Sequence, residues 1–137
     1  MTRWLIDCDI LIEGERGNPA FDLWRRSDAE FATADIIRAE FLLGVHAVAD
    51  AAKRRRGEQF YRERIAGIAS LPNEVQDYEL AARMAGETRR SGKGKPSLPD
   101  ALLGAMAIRT GATVATGNLN DFKKMGVPCA NPLGQHE

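Results

Sequence analysis

The chain has 137 residues, of which 44% are hydrophobic and 28% are charged, and its 19 basic and 19 acidic side chains cancel. We therefore expect residues 1–137 to form one globular domain, and no segment has the roughly 18 uninterrupted apolar residues of a membrane span. The N-terminal apolar run is too short for a signal peptide, so we expect a cytoplasmic protein that does not contact a membrane.

The first half of the chain predicts two strands, each followed by helical segments. Residues 3–6 have the pattern of a buried strand that ends at Asp7, and residues 10–12 that of a helical turn. A small helix that Pro19 starts is expected over residues 21–26, and a second strand over residues 31–34. An apolar helix over residues 36–49 and a polar helix over residues 53–69 then follow in close succession, which predicts a helical hairpin.

The second half predicts a third strand over residues 73–75 and a helix over residues 78–90. The buried stripe of that helix is expected to be Tyr78, Ala81, Ala82, Met84 and Ala85. After a Gly- and Lys-rich loop, Ser97 is a predicted N-cap of an apolar helix that Gly111 closes. Strands over residues 112–115 and around Cys129 complete an alternation that predicts an α/β fold with a mainly parallel sheet. Ligands bind such sheets beyond the carboxyl ends of the strands.

Four carboxylates occupy positions that this fold brings toward one site. Asp7 ends the first strand, and Asp121 follows the fourth, although an aspartate after a strand is also a common turn former or helix cap. Glu40 lies in an apolar helix, where it either faces solvent beside Arg38 or is held toward a cation. Asp100 opens another apolar helix, either as a capping residue or at the rim of a site.

These carboxylates, with Asn118 close by, are hard oxygen ligands of the kind that Mg²⁺ or Mn²⁺ prefers. Carboxylates that repel one another are stable together chiefly when a cation is bound. One or two such ions would activate water for attack on a phosphodiester. The two histidines, His46 and His136, form no Ser-His-Asp arrangement, and the two cysteines, Cys8 and Cys129, form no Cys-x-x-Cys pair.

Basic residues cluster along the chain although the net charge is zero. The clusters cover residues 53–56, then Arg62 and Arg64, and finally a group after residue 88. Each one alone is typical of a solvated helix face or loop. Together they would steer a phosphate backbone toward an acidic site that otherwise repels it. The expected RNA-binding residues are Arg89, Arg90, Lys93 and Lys95.

Four segments carry these acids in order. They are Leu5-Ile6-Asp7 followed by Asp9-Ile10-Leu11-Ile12; Thr33-Ala34 before Ile37, Glu40 and Gly44; Leu98-Pro99-Asp100-Ala101-Leu102-Leu103; and Val114-Ala115-Thr116-Gly117-Asn118 leading to Asp121-Phe122. Through the whole chain this series resembles the PIN-domain nucleases, specifically the VapC-type toxins of prokaryotic toxin–antitoxin pairs. The resemblance implies a PIN-like three-layer fold in which helices, including a helical hairpin, flank a short central sheet.

The resemblance also implies an activity and partners. We expect a Mg²⁺-dependent endoribonuclease that cuts cellular RNA such as tRNA or rRNA. A cognate antitoxin would bind it across the acidic site. A homodimer is expected as well, partly because the apolar helix and its basic neighbour offer more nonpolar surface than one small sheet covers.

The resemblance assigns three residues to the metal site: Asp7, Glu40 and Asp100. It implies that the Thr116 hydroxyl orients this cluster. The fourth position is either Asn118 or Asp121, and we favour Asp121 because it bears the charge. The chain departs from the family pattern at Cys8, where Thr or Ser is usual, and at Asp9, where Asn is common. Asp9 adds a fifth acid that we expect to support the others.

Other classes of protein share parts of this pattern. Asp7-Cys8-Asp9 after a strand mimics the nucleophile and acid pair of a haloacid-dehalogenase-type phosphatase, but the later hydroxyl and Lys of that class have no clear counterpart. The acid pair, middle Asp and late Lys of a phosphoaspartate receiver domain do not fit either. An inactive PIN-like module that binds RNA or a partner protein is the non-catalytic alternative.

Overall fold

The structure alternates short strands with helices. It is a computed structural model that describes residues 1–134, so His136 lies outside the described residues. The strands are β1 (Arg3–Ile6), β2 (Glu30–Ala34), β3 (Ala69–Leu71), β4 (Thr113–Ala115) and β5 (Cys129–Ala130). The helices are α1 (Cys8–Glu15), α2 (Pro19–Arg25), α3 (Asp35–His46), α4 (Ala51–Phe60), α5 (Val75–Arg90), α6 (Leu98–Thr110) and α7 (Leu119–Lys124). A π-helical turn, Tyr61–Ile65, continues α4.

The strands form one five-stranded sheet in the order β3-β2-β1-β4-β5, and every neighbouring pair is parallel. The predicted sheet was mainly parallel; the observed one is entirely so over the described residues. From the central β1 the chain moves outward to β3 and then returns past β1 to β4. The carboxyl ends of β1 and β4 therefore form the switch point at which open α/β sheets bind ligands.

Helices cover both faces of the sheet. Right-handed crossovers place α1–α4 on one face and α5–α7 on the other. The packing agrees, since α1 contacts α2 and α3 and α3 contacts α4, whereas α6 contacts α5 and α7. The predicted three-layer α/β fold and its helical hairpin, α3 with α4, are confirmed. None of the helices within residues 1–134 has the length and apolar character that a membrane crossing requires.

The predicted third strand at residues 73–75 is wrong, and the predicted helix over residues 53–69 ends too late. The strand is Ala69–Leu71, because the π-helical turn closes the preceding helix at Ile65. Arg38 of α3 fixes this turn from outside. Its guanidinium donates to Ile65 O at 3.0 Å, to Ile68 O, and to Ser70 Oγ at 2.9 Å.

The predicted buried stripe of α5 is correct at Ala81, Met84 and Ala85 and wrong at two positions, since Tyr78 and Ala82 are exposed. The helix begins three residues earlier than expected and buries Asp77 instead. Arg109 of α6 donates through Nε to Asp77 Oδ1 at 2.7 Å. Burial is the largest single effect and opposes the charge of Asp77, but the hydrogen bonds from Arg109 and Glu74 N, with the charge of Arg109, together outweigh it and lower the pKa of this carboxyl.

The packing of α6 leaves no room for a side chain at one of its glycines. A Cβ at Gly104 would lie 2.7 Å from Val127 Cγ2, whereas nothing lies within 4 Å of the same position at Gly86 in α5. We expect Gly104→Ala to lower the free energy of unfolding by about 1 kcal/mol, since overpacking costs about 1–3 kcal/mol and the better helix former returns part of it. Gly86→Ala should raise that free energy by up to about 1 kcal/mol. Urea unfolding would measure both, and equal responses would show that Val127 does not restrict α6.

Candidate active site

Asp7 lies at the switch point of the sheet. Its backbone N–H donates to Ala115 O at 3.0 Å, which continues the pairing of β1 with β4. Asp7 Oδ1 accepts from Cys8 N at 2.8 Å and makes the residue the N-cap of α1. Asp7 Oδ2 accepts from Thr116 Oγ1 at 2.9 Å. Asp7 is thus a helix cap and, at 6% exposure, also a buried carboxylate.

A chain of hydrogen bonds extends from Asp7 to Asp121. The fully buried Thr116 hydroxyl, which donates to Asp7, also accepts from Asn118 N at 2.9 Å. Asn118 Nδ2 in turn donates to Asp121 Oδ2 at 2.9 Å in the first turn of α7. Both candidates for the fourth position therefore belong to one network, in which the amide of Asn118 holds the carboxylate of Asp121.

Asp9 connects α1 to the loop after β4. Its Oδ2 accepts from Gly117 N at 2.9 Å, and a Cβ at Gly117 would stand 3.0 Å from the same oxygen. Asp9 Oδ1 is buried and has no hydrogen-bond partner among residues 1–134. Burial raises the pKa of Asp9, although the hydrogen bond from Gly117 works against this rise.

Glu40 and Asp100 approach from opposite faces of the sheet, on α3 and α6. Ser97 is the N-cap of α6, as predicted, and its Oγ accepts from Asp100 N at 3.2 Å. Glu40 is half-buried, and its pKa is raised by burial and then by the charge of Asp100. The exposed stripe beside Arg38 is not its position, because Arg38 turns to the β3 side and pairs with Asp35 at 3.9 Å.

The carboxylates lie close enough to raise one another's pKa. The pKa of Asp7 rises to about 7, through burial first and then the charges of Asp9 and Asp100, against the hydrogen bonds from Thr116 and Cys8 N. Burial and the charge of Asp121 raise the pKa of Asp100. The structure therefore gathers all four predicted acids, with Asp9 as a fifth, into one electrostatically coupled group.

The donor set fits a hard cation, although no closed cage is present. Within residues 1–134, no three Asp, Glu, His or Cys side chains are placed so that they could hold a metal ion together. Mg²⁺ is commonly held by one or two carboxylates and several waters, so it does not need three. The unpartnered Asp9 Oδ1 and the buried Asp7 carboxylate supply oxygen of the kind that Mg²⁺ and Mn²⁺ bind.

The predicted basic cluster lies beside α7. Arg89, Arg90, Lys93 and Lys95 are all exposed at the end of α5 and in the loop that follows. A shallow cleft of about 300 Å³ brings Arg90 and Lys93 together with Lys124. Lys124 is not among the predicted RNA-binding residues, although its position three residues after Asp121 places it near the acids in the sequence.

The fold and the acids at the carboxyl edge of its sheet define an α/β protein with an acidic site at the switch point of a parallel sheet. The chain belongs to the PIN domain family, whose model matches residues 5–128. Among curated proteins no sequence matches it.

Solved structures share the fold over nearly the whole chain. FitAcB from Neisseria gonorrhoeae has a TM-score of 0.79 at 23% identity, covering 96% of this chain and 99% of that one. DNA-bound VapBC from Salmonella typhimurium has a TM-score of 0.75 at 18% identity, with coverages of 95% and 98%. VapBC2 from Rickettsia felis, bound to a promoter DNA fragment, has a TM-score of 0.74 at 14% identity, with coverages of 94% and 98%.

We expect the metal-free protein to lose stability as the pH rises from about 4 to about 7. The pKa of Asp7 moves from 3.8 to about 7 on folding, so the folded state keeps a proton that the unfolded state has released. Each pH unit in this interval then removes about 1.4 kcal/mol from the free energy of unfolding, and the loss ends above the folded pKa.

Urea unfolding in chelator at about pH 5 and about pH 7.5 would measure this loss. Asp7→Asn should weaken the pH dependence, because Asn cannot ionise. Asp28→Asn, an exposed position beyond the amino edge of the sheet, serves as the control and should keep it. The same pH dependence in all three proteins would rule out Asp7 as its source.

Proposed function

We propose that this chain is a Mg²⁺-dependent endoribonuclease, one domain over residues 1–137, that acts as the toxin of a toxin–antitoxin pair. Membership in the PIN domain family, whose members are generally nucleases, supports the proposal. The observation that carries it is the gathering of the acids Asp7, Glu40, Asp100 and Asp121 at the switch point. Repulsion between these carboxylates lowers the stability of the fold. Binding a cation that assists cleavage of a phosphodiester would explain why they are grouped there.

The roles follow from how each carboxylate is held. Asp7 is fixed on both oxygens, and Asp100 interacts with every other acid of the site, so these two would bind the ion. Held by Asp7 and Asp100, a Mg²⁺ ion would supply the positive charge that favours binding of the phosphodiester and ionisation of an attacking water. Glu40 and Asp121 lie on separate helices, each near enough to Asp100 to interact with its charge, and would orient waters bound to the ion.

The basic surface beside α7 supports a polyanionic substrate. The acids repel a phosphate backbone, so binding needs compensating positive charge near them. Arg90, Lys93 and Lys124 surround one shallow cleft next to the helix that carries Asp121. We assign this surface to the RNA backbone, with tRNA or rRNA in the cytoplasm as the substrate class.

An apolar cleft beside Glu40 supports an antitoxin partner. It has a volume of about 580 Å³ and combines the apolar side chains of Phe41 and Val45 with a basic rim that includes Arg16 and Arg56. The solved structures of similar fold include FitAB and VapBC2, and the VapC-type toxins that the sequence resembles pair with an antitoxin. We propose that an antitoxin segment covers this cleft and the adjoining acids.

Exposed apolar side chains on α5 and α6, on the other face of the sheet from the α3–α4 hairpin, support a homodimer. Val75 and Tyr78 on α5 are 75% and 54% exposed, and Ile108 on α6 is 43% exposed. Self-association through α5 and α6 would cover them and leave the carboxyl edge of the sheet accessible. The inactive PIN-like module remains the alternative function, but a module of that kind has no use for buried, mutually repelling carboxylates.

Cleavage of total cellular RNA by the purified, antitoxin-free protein tests the proposal. We expect cleavage with Mg²⁺ or Mn²⁺, none with chelator, and a loss of about 100-fold or more in Asp7→Asn and Asp100→Asn. Asp28→Asn should cleave like the wild type, since it makes the same charge change far from the site. Activity that survives both chelator and Asp7→Asn would refute the assignment. Neither cleavage nor metal binding under any condition would favour the inactive module.

Charge reversal on the basic surface tests the RNA-binding assignment. We expect Arg90→Glu with Lys93→Glu to weaken RNA binding and to make the plot of log affinity against log salt shallower by about 0.7 for each lost phosphate contact. Arg26→Glu, an exposed position just after α2, is the matched control and should leave the slope unchanged. Filter binding at several salt concentrations measures this, and equal slopes in both variants would remove the cluster from the binding surface.

A further inference from the structure

A second cleft adjoins the acids on the β5 side. It has a volume of about 450 Å³ and lies between α1, the loop after β4 and the chain after β5. Its lining combines acids, amides and apolar side chains from these three segments: Asp9, Ile10, Glu13, Asn118, Asn131 and Leu133. Asp9 and Asn118 belong to the hydrogen-bond networks of the acidic site as well. A ligand in this cleft would therefore lie directly beside the acids.

The polar groups of the cleft have unused hydrogen-bonding capacity. Asp9 Oδ1 has no partner among the described residues. Glu13 Oε1 accepts from Asn18 at 3.1 Å, while Oε2 has only a distant ion pair with Arg16 at 3.8 Å. Asn131 Oδ1 accepts from Leu133 N at 3.0 Å, which leaves the amide N–H groups of Asn131 to donate. Asp9 Oδ1 is buried and out of reach of a ligand, so the cleft presents the Glu13 carboxylate as acceptor and the Asn131 amide as donor.

This arrangement selects the kind of ligand. The Glu13 carboxylate accepts through two oxygens and repels phosphate, and the Asn131 amide beside it donates, so the pair suits an uncharged ring edge with two adjacent N–H donors and an acceptor. Among RNA bases only guanine carries two neighbouring donors, N1–H and the 2-amino group, beside an acceptor, O6. The buried side chains of Ile10 and Leu133 form the apolar floor of the cleft.

We propose that this cleft binds a guanine base of single-stranded RNA next to the phosphate that is cut, which rests on the proposed nuclease function. The two carboxylate oxygens of Glu13 accept from N1–H and the 2-amino group, and Asn131 donates to O6. The chain then selects its cleavage site through Glu13 and Asn131, apart from the acids that would bind metal. Sequence-specific RNA proteins commonly read unstacked bases in this way, through the Watson–Crick edge.

Binding without cleavage tests the proposal most directly. Short single-stranded RNAs that carry guanosine, inosine or adenosine at one position would be titrated with Asp100→Asn protein, and fluorescence anisotropy would report binding. We expect guanosine RNA to bind about tenfold more tightly than inosine RNA, which lacks the 2-amino group. In the Asp100→Asn protein, the further substitution Glu13→Gln should remove most of the difference in affinity between guanosine and inosine RNA. Glu15→Gln, on the same helix but outside the cleft, is the control and should retain it.

Asn131→Asp gives a second variant that keeps the fold in place. Its side chain still accepts from Leu133 N but no longer donates to O6, so guanosine RNA should lose more affinity than adenosine RNA, which the added charge weakens only through its phosphates. Equal affinity for the three RNAs, with Mg²⁺-dependent cleavage intact in the wild type, would overturn the guanine assignment alone. Loss of a bound Mg²⁺ in Glu13→Gln, measured by calorimetry, would show a cation in the cleft and overturn it too. A wild type that cuts no RNA would instead overturn the proposed function.

Discussion

The carboxylate of Asp7 joins three parts of the fold at one point. It follows β1, caps α1 through Cys8 N and accepts from Thr116, which follows β4. Asp7 and Thr116 are 109 residues apart in the chain and meet only because β1 and β4 pair in this order and register. The reversal of strand order between them leaves an open edge that no crossover covers. The position of the acids is therefore a property of the whole sheet.

Placing carboxylates at this edge works against folding, and the surrounding structure limits the cost. Burial raises the pKa of Asp7 to about 7 because the charged form loses water, and the charges of Asp9 and Asp100 add to the rise. Two hydrogen bonds to Asp7 offset part of this effect. The remainder is balanced by the core, of which α6 is the most apolar element, with every residue from Ala101 to Ala107 buried. A helix so firmly packed holds Asp100 in place although the neighbouring charges repel it.

Local patterns in the sequence predicted the strands and helices that carry the acids. The features that depend on tertiary contacts could not be predicted from such patterns. The run that ends at Asp7, the cap at Ser97 and the left-handed Gly111, with φ of 70°, were all readable because each depends on neighbouring residues. The strand Ala69–Leu71 has little strand propensity and is held by Arg38 from another helix, so no local pattern reveals it. The convergence of Asn131 with the acids depends on strand order, which periodicity does not give.

The two departures from the family pattern affect the site differently. Asp9 accepts from Gly117 N and so joins α1 to the loop after β4. Asp7 makes a similar connection to this loop by accepting from Thr116. Cys8 is half-buried beside the acids, and burial followed by the charge of Glu40 raises the pKa of its thiol to about 12. A thiol with that pKa stays protonated at neutral pH, so in the absence of a cation it is neither a nucleophile nor a thiolate ligand. Cys8 therefore adds no charge to the cation-free edge, where the ionisable groups that can carry charge at neutral pH are the carboxylates.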